Sequence, residues 1–265
     1  MKTNFILTSL FALILFSSCS KNNDDSGVDN SPATTFLPLT NGNYWVYDVD
    51  NAGTLNRDSL YIANDTTINT VIYKKMKTLA TPLGFFSSTL RNNGVKIDAS
   101  KLVMTGDFSL NFGLTAPINL ALTDFIFFKE SAATNDILST TSGTLNQTYS
   151  GYPLTIDYTM KTVADGSLAT YLSDGTTYTD VKKTKVILNL KITTTQTVSG
   201  ITVPITIMAP QDVITSTQYY SKNIGMVYAN TVINYQLNSV PGLTLPIPSS
   251  GTQTQEEFLA VYHLN

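Results

Sequence analysis

The stretch VILNLKITTTQTVSGITVPITIM, residues 186–208, decides the fold because apolar and polar side chains alternate along it. Its apolar positions, spaced two apart within each half, include Leu188, Leu190, Ile192, Ile201, Val203, Ile205 and Ile207. A period of two places these side chains on one face of a strand and the polar ones on the other. The stretch therefore predicts two half-buried strands joined by a turn at Ser199-Gly200. Pro204 favours an edge strand or a backbone nitrogen that faces outwards.

The same alternation recurs along the rest of the chain. Trp45, Tyr47 and Val49 occupy every second position of a first strand, residues 50–53 turn the chain, and residues 59–63 return as its partner. Further strands are predicted at residues 70–79, 84–92, 94–98, 101–104, 152–163, 177–195, 213–220, 226–228, 232–237 and 258–264. Strands this frequent predict an all-β fold with little helix beyond the N-terminal segment. We expect a curved antiparallel sheet, in a half-barrel or open barrel, or a β-sandwich.

Three stretches leave local details open. Asn93-Gly94 is a candidate two-residue hairpin turn. Residues 108–128 are apolar but interrupted by Gly113 and Pro117, and they are either a buried strand or one helical turn followed by a strand. Residues 238–255 are rich in Pro, Gly and Ser, which predicts a long exposed loop.

Residues 1–18 are predicted to be a lipoprotein signal peptide. Lys2 supplies a positive charge and residues 5–16 an apolar run, which is shorter than the ~20 residues that a membrane-spanning helix needs. Residues 16–18 before Cys19 resemble the lipobox of bacterial lipoproteins, although Phe16 stands where those proteins usually have an aliphatic residue. The resemblance implies cleavage before Cys19, a diacylglycerol on its sulfur and acylation of the new amine.

The location of the protein follows from this anchor. Two or more acyl chains hold a protein stably on a membrane, so an acylated Cys19 needs no second anchor. The tract SKNNDD, residues 20–25, resembles the Lys/Asp-rich tract of Bacteroidota-type lipoproteins sent to the outer face of the outer membrane. We therefore expect display at the cell surface, with the periplasmic face as the alternative. Residues 19–35 are predicted to be a flexible tether, and residues 36–265 a single antiparallel β domain.

Motifs at the two ends of the domain carry a second resemblance. They are Pro38-Leu39, Gly42, Tyr44-Trp45 and Tyr47 near the start, and Tyr219-Tyr220, Gly225, Met226 and Val227 near the end. These residues resemble a broad group of uncharacterised Bacteroidota-type lipoproteins that share a PLxxGxxWxY opening and a YYxKxIGMV hairpin. The resemblance implies a strongly curved antiparallel sheet, in some cases like the half-barrel of periplasmic lipoprotein carriers, and it brings no catalytic residue.

Composition excludes several classes of chemistry. The net charge of −3 is too mild to favour nucleic acid as a partner. Cys19 is the only cysteine and His263 the only histidine, so the chain cannot build a His/Cys zinc site. A Ser-His-Asp triad would need His263, and no G-x-S-x-G motif supplies the serine. We expect a strand-end histidine at the surface, no cofactor, and a protein that is not an enzyme.

The alternative is a hydrolase that uses acidic residues. Paired carboxylates across a cleft could hydrolyse a polysaccharide, and the candidates are Glu130, Asp157, Asp165, Asp174 and Asp180. Most of them adjoin turn residues, where an aspartate usually bonds to the turn backbone. Residues 48–53 begin like a calcium loop, but Ala52 and Ser59 replace ligands that such a loop requires, so a hairpin turn is the better interpretation.

Four aromatic residues are candidates for ligand binding. Tyr44, Trp45, Tyr219 and Tyr220 could stack on a sugar or line an apolar pocket, although Trp45 is better explained as a core residue of the first strand. Candidate partners are the membrane through Cys19 and a glycan, a lipid or a surface protein complex. Short Asp-Ser/Thr sequences also make Ser59 and Thr66 candidates for O-glycosylation.

Overall fold

The computed structural model describes residues 34–110, 118–149, 151–198, 201–240 and 247–265. Residues Ser31–Asn265 form one compact unit. The predicted signal peptide, the acylated Cys19, most of the tether and the turn at Ser199-Gly200 lie outside the described residues.

The described chain consists of long strands and a short helix, as the alternation predicts. In chain order they are β1 (Tyr44–Asn51), β2 (Thr54–Ile68), β3 (Val71–Thr78), α1 (Phe85–Leu90), β4 (Gly94–Asp98), β5 (Lys101–Leu110), β6 (Ile118–Lys129), β7 (Ile137–Tyr149), β8 (Tyr152–Ser173), β9 (Thr176–Val198), β10 (Ile201–Ser221), β11 (Gly225–Gln236) and β12 (Ser250–His263). Within the described residues, no helix is long and apolar enough to cross a membrane.

All twelve strands belong to one antiparallel sheet, in the order β6-β5-β4-β3-β2-β1-β12-β11-β10-β9-β8-β7. Strands adjacent in sequence pair with each other, except β6 and β7, which are the two edges of the sheet. Strand β1 also pairs with β12, which joins the two ends of the domain. Strand β6 contacts β7, β8 and β9, so the sheet curves until its two edges approach each other. The all-β prediction is confirmed, and a nearly closed barrel replaces the sandwich alternative.

Inward-facing side chains fill the barrel. The alternation of β1 turns Trp45, Tyr47 and Val49 inwards, and each is fully buried. The largest fully buried side chains are mostly aromatic and include Phe36, Trp45, Tyr47, Phe86, Phe108, Phe128 and Tyr220. Their polar atoms have partners: Trp45 Nε1 donates to the Ile224 carbonyl at 2.7 Å and Tyr47 Oη to the Met226 carbonyl at 3.1 Å. The interior is therefore a packed core in which the polar atoms of the two large β1 aromatics are satisfied.

One predicted strand is a helix. Residues 84–92 were expected to be extended, but residues 85–90 form α1, and Asn93-Gly94 leads from the helix into β4 rather than closing a hairpin. Helix α1 is buried almost all round because Phe86 meets the rings of Tyr47 and Tyr220 edge-on inside the barrel. A helix of six residues makes fewer than two turns, too few to show a helical period in the sequence, so tertiary packing decided its form.

Other differences concern weakly patterned strands. Strand β7 (Ile137–Tyr149) was not predicted, and it is half-exposed or exposed along nearly its whole length, so it lacks a strong apolar alternation. The two strands expected at 201–208 and 213–220 are one strand, β10, and Pro204 lies in a part that pairs with β9 beyond the end of the β11 ladder. The predicted loop 238–255 is shorter than expected, because β12 starts at Ser250.

Candidate functional site

A surface groove on the outer face of the sheet is the strongest candidate for a ligand site. It has a volume of about 590 Å³, within the usual range for small-molecule pockets. The residues that line this outer groove are Asp48, Asp50, Leu55, Asn56, Arg57, Asp174 and Phe258. It combines an aromatic ring, both signs of charge and an amide, which together can hold a polar ligand with a flat apolar face.

Strand register brings the wall of the outer groove together. Asp48 faces outwards because its neighbours in β1 face the core, and it lies between Arg57 on β2 and Phe258 on β12. Asp174 comes from the tip of the β8–β9 hairpin. There Asp174 and Gly175 have φ angles of 43° and 75°, as a two-residue hairpin turn requires. The groove therefore joins segments that are more than a hundred residues apart in the chain.

Three of the four charged side chains of the outer groove have specific partners. The Arg57 Nε–H donates to Asp48 Oδ1 at 2.6 Å, and this bond raises the pKa of Arg57. Because both side chains are exposed, the pair adds little to stability, but it holds the guanidinium against the strand. Asp50 Oδ1 accepts from the Gly53 backbone N–H at 2.7 Å, as expected for a turn aspartate. The arrangement can donate and accept hydrogen bonds, and its three carboxylates outnumber its one guanidinium.

An aromatic cluster continues from Phe258 across the outer face. The Phe258 ring lies 5.3 Å from Tyr228, Tyr228 lies 5.3 Å from Tyr219, and Tyr219 stacks on Tyr171 at 4.4 Å. Burial, followed by the neighbouring Tyr219, raises the pKa of Tyr171 to about 12. Lys183 Nζ lies 5.7 Å above the Tyr219 ring. Because Tyr171 belongs to β8, this cluster holds the hairpin tip against the sheet and keeps one wall of the groove in place.

The four aromatic residues singled out in the sequence separate into three environments. Trp45 and Tyr220 are fully buried and offer no surface to a ligand. Tyr219 is half-buried within the aromatic cluster beside the outer groove. Tyr44 is 38% exposed at the start of β1, where its ring stacks on His263 at 5.6 Å.

The acidic candidates for hydrolysis do not face one another as a free pair. Asp157 accepts from Thr144 and lies 3.7 Å from Lys191 Nζ, and Asp165 binds Lys183 and Lys185. Glu130 lies 4.0 Å from Lys222 Nζ. Asp174 and Asp180 have positive φ angles of 43° and 50°. Asp165 and Gly166 do not form a turn between strands but a bulge inside β8.

Two other expectations are confirmed locally. Residues 50–53 form the β1–β2 turn, with Ala52 and Gly53 at positive φ. His263 is the last residue of β12 and is exposed, with Nε2 3.1 Å from Asn265 Oδ1. Among the described residues, no three His, Cys, Asp or Glu side chains are placed to share a metal ion.

The two candidate glycosylation residues both lie inside β2. Ser59 is half-buried between Asp58 and Leu60, which point into the core, and it lies in a shallow depression beside Tyr44. Thr66 is also half-buried and pairs with Tyr73 of β3. In the folded strand, only the side chain of each residue reaches the surface.

Sequence reasoning missed a buried carboxyl pair that holds the start of α1. Asp58 accepts the backbone N–H groups of Leu83 and Gly84, the latter at 2.7 Å, and Glu257 Oε1 accepts that of Phe86 at 2.7 Å. Gln255 accepts from the Phe85 N–H at 2.7 Å and donates to the Leu83 carbonyl at 2.9 Å. We call Asp58, Gln255 and Glu257 together the carboxyl clamp. The sequence did contain one sign of this buried pair. Gln255 and Glu257 are two residues apart in β12, so both side chains lie on the face of the strand that points inwards.

The surroundings of the second carboxyl oxygen of Glu257 explain why its pKa is raised. Glu257 is 1% exposed, and Oε2 has no hydrogen-bond donor. A Cβ placed on Gly84 would lie 2.2 Å from this oxygen and 2.9 Å from Asp58 Oδ2, so the two carboxyl groups meet at Gly84. Burial, reinforced by the charge of Asp58, raises the pKa of Glu257 to about 8. Glu257 is therefore protonated at neutral pH, which removes the need for a buried counter-ion.

Comparisons with known proteins identify the chain only at the level of a distant structural likeness. No protein-family model matches it, and no curated protein does so either. One solved structure is similar, that of a protein from Parabacteroides distasonis described as a "putative lipoprotein". The two chains are 13% identical with a TM-score of 0.41, over 88% of this chain and 100% of the other.

Proposed function

We propose that this chain is a membrane-anchored binding protein, not an enzyme, whose barrel takes a neutral oligosaccharide in the outer groove. The anchor is the acylated Cys19, and the site of display is the outer membrane, with the domain at the cell surface. The outer groove carries the proposal, because Phe258 offers a flat apolar face beside the polar atoms of Asp48, Asn56 and Arg57. Sugar rings have one apolar face and a rim of hydroxyls, which such a lining complements.

A glycan fits the molecule better than a lipid carried in the interior. A lipid carrier needs an apolar cavity wide enough for an acyl chain, whereas large aromatic side chains and α1 occupy the inside of this barrel. Three carboxylates against one guanidinium disfavour an acidic ligand, and the pairing of Arg57 with Asp48 and of Asp50 with the turn leaves hydrogen bonding to an uncharged ligand. Hydrolysis has less support, because Asp157 and Asp165 are paired with lysines. Asp174 does line the groove, but the two carboxylates beside it, Asp48 and Asp50, are bonded to Arg57 and to the Gly53 N–H.

Binding by the soluble unit Ser31–Asn265 tests the proposal. An array of neutral and acidic oligosaccharides should identify a neutral ligand, and titration calorimetry then gives its Kd. Phe258→Ala should weaken that binding about tenfold, since truncating an aromatic contact costs at least about 1 kcal/mol. Arg57→Ala should weaken it as well, through the loss of a hydrogen-bond donor.

Ile72→Ala provides the control, because Ile72 is 65% exposed on β3 and does not line the groove. Its Kd should equal that of the unaltered protein. Equal affinity of all three variants for the ligand would place the binding site elsewhere and overturn the assignment. Retention of the Cys19→Ala variant in the membrane fraction would overturn the anchor.

A further inference from the structure

The chain between β3 and β4 leaves the sheet, forms α1 and returns. Residues 79–92, the α1 segment, belong to no strand. The excursion closes at its foot, where the Asn92 N–H donates to the Met76 carbonyl at 2.9 Å and the Met76 N–H donates to the Asn93 carbonyl at 3.0 Å. Strands β3 and β4 pair with each other just beyond this foot. The hydrogen-bond ladder of the sheet therefore does not depend on the α1 segment.

The N-terminal side of α1 is fastened by side chains from distant strands. A helix of six residues is not stable on its own, and Gly84, the residue before α1, has no side chain to cap it. The backbone N–H groups of residues 83–86 instead donate to the carboxyl clamp on β2 and β12. The clamp and the burial of Phe85 and Phe86 therefore hold the helix in the barrel.

The surroundings of Glu257 disfavour a negative charge on this residue. The ionisable side chains that face it are an acid and two phenols, Asp58 on β2, Tyr47 on β1 and Tyr220 on β10. On β11 the residue opposite Glu257 is Ala229, and residues 83–90 contain no ionisable side chain. None of these groups is a cation. Loss of the Glu257 proton would therefore bury a carboxylate beside Asp58 without a counter-ion.

Opening of the α1 segment would remove this penalty. The two carboxyl groups meet at Gly84, which separates them from the outside, and the next residue, Leu83, is already 50% exposed. A short displacement of residues 83 and 84 therefore admits water to the clamp. Water can donate to Glu257 Oε2, which has no hydrogen-bond donor in the closed structure.

We propose that the carboxyl clamp is a latch controlled by the proton of Glu257, which keeps α1 inside the barrel while it is bound and lets the α1 segment open when it is lost. The twelve-stranded sheet stays folded in the open form. Because α1 covers the rings of Tyr47 and Tyr220, opening exposes this part of the core. The latch is independent of the proposed ligand and of the proposed anchor.

The pH range of the latch follows from the two states of Glu257. Its pKa is about 8 in the closed form and returns to its ordinary value of 4.5 once water reaches it. The closed form therefore holds the proton more tightly, so its advantage is complete below about pH 4.5 and is lost as pH rises towards 8. Within this range, opening becomes more frequent by up to about tenfold for each unit of pH.

Hydrogen exchange of the full chain at pH 5 and pH 7, measured by mass spectrometry of peptic peptides, tests the latch. A peptide of residues 83–92 reports on the α1 segment, and a peptide of β1 (Tyr44–Asn51) reports on the sheet. Each rate is divided by the intrinsic rate of the same peptide at the same pH. We expect the corrected rate of the α1 segment to rise at least about tenfold from pH 5 to pH 7, and to exceed that of β1 at least about tenfold at pH 7.

Two variants assign the effect to one proton. Glu257→Gln does not titrate, so the corrected rate of its α1 segment should not change between pH 5 and pH 7. Glu256→Gln is the matched control, because Glu256 is the preceding residue of β12 and faces outwards to Tyr228, and it should behave as the unaltered protein. The same rise in Glu257→Gln as in the unaltered protein would overturn the role of Glu257.

The unaltered protein alone can also refute the latch. Equal protection of the α1 segment and of β1 at both pH values would mean that α1 opens only when the whole barrel unfolds. A corrected rate of the α1 segment that is the same at pH 5 and pH 7 would mean that no proton controls its opening. Either result overturns the proposal.

Discussion

Replacement of Glu257 by Gln should flatten the pH dependence of stability. The carboxyl group has a pKa of about 8 in the folded protein and an ordinary value of 4.5 when the chain is unfolded. The folded state therefore holds this proton more tightly, so its contribution to stability is complete below about pH 4.5 and is lost as pH rises towards 8. Tyr47 and Tyr220 face the same carboxyl group, and neither brings a positive charge to offset it.

The size of the effect follows from that difference in pKa. Each unit of pH within the window changes the free energy of unfolding by up to about 1.4 kcal/mol, so Glu257 costs the protein about 2 kcal/mol between pH 5 and pH 7. Glu257→Gln keeps the shape of a protonated glutamate. Its oxygen can accept from Phe86, and its amide can donate to Asp58, but it does not titrate.

Urea unfolding at pH 5 and pH 7 measures how much stability each protein loses between the two pH values. The unfolding is followed by the fluorescence of Trp45, the only tryptophan. The unaltered protein should lose about 2 kcal/mol more than Glu257→Gln between the two pH values. Glu256→Gln, one residue earlier and facing outwards, should follow the unaltered protein. If Glu257→Gln and the unaltered protein lose the same stability over this range, the buried proton does not exist and the reasoning fails.

Two further substitutions probe the packing around the same core. Gly84→Ala should destabilise the domain by about 2 kcal/mol, because its Cβ would lie 2.2 Å from Glu257 Oε2. Urea unfolding at pH 7 measures this loss, and an unchanged midpoint would contradict it. Trp45→Phe should cost about 2 kcal/mol, since it opens space in the core and leaves the Ile224 carbonyl without its 2.7 Å partner. Far-ultraviolet circular dichroism would follow that unfolding, and a loss below about 0.5 kcal/mol would show that neither contact matters.

Part of the candidate site could be anticipated from the sequence. Tyr219 was singled out as a ligand-binding candidate, and it lies in the aromatic cluster beside the outer groove. Phe258 and Arg57 were not singled out, because nothing local distinguishes a groove residue from any other outward-facing strand residue. Their proximity depends on β1 pairing with both β2 and β12, a contact between chain segments some two hundred residues apart.

The sequence by itself determined the class of fold and where most strands lie. Alternation with a period of two is a local property, so stretches such as residues 186–198 specify a half-buried strand wherever they are placed. The same local signals also specify the tight turns, as at Asp174-Gly175, where positive φ angles are needed.

Only the tertiary structure decided how the strands close and what lies inside them. The choice between a barrel and a sandwich depends on the β1–β12 pairing and on the approach of β6 to β7, which involve residues far apart in the chain. Helix α1 is helical because Asp58, Gln255 and Glu257 from two distant strands bind its first N–H groups, and its six residues have too little periodicity to show this alone. Hydrogen bonds and burial between distant segments thus overrode the local preference for a strand.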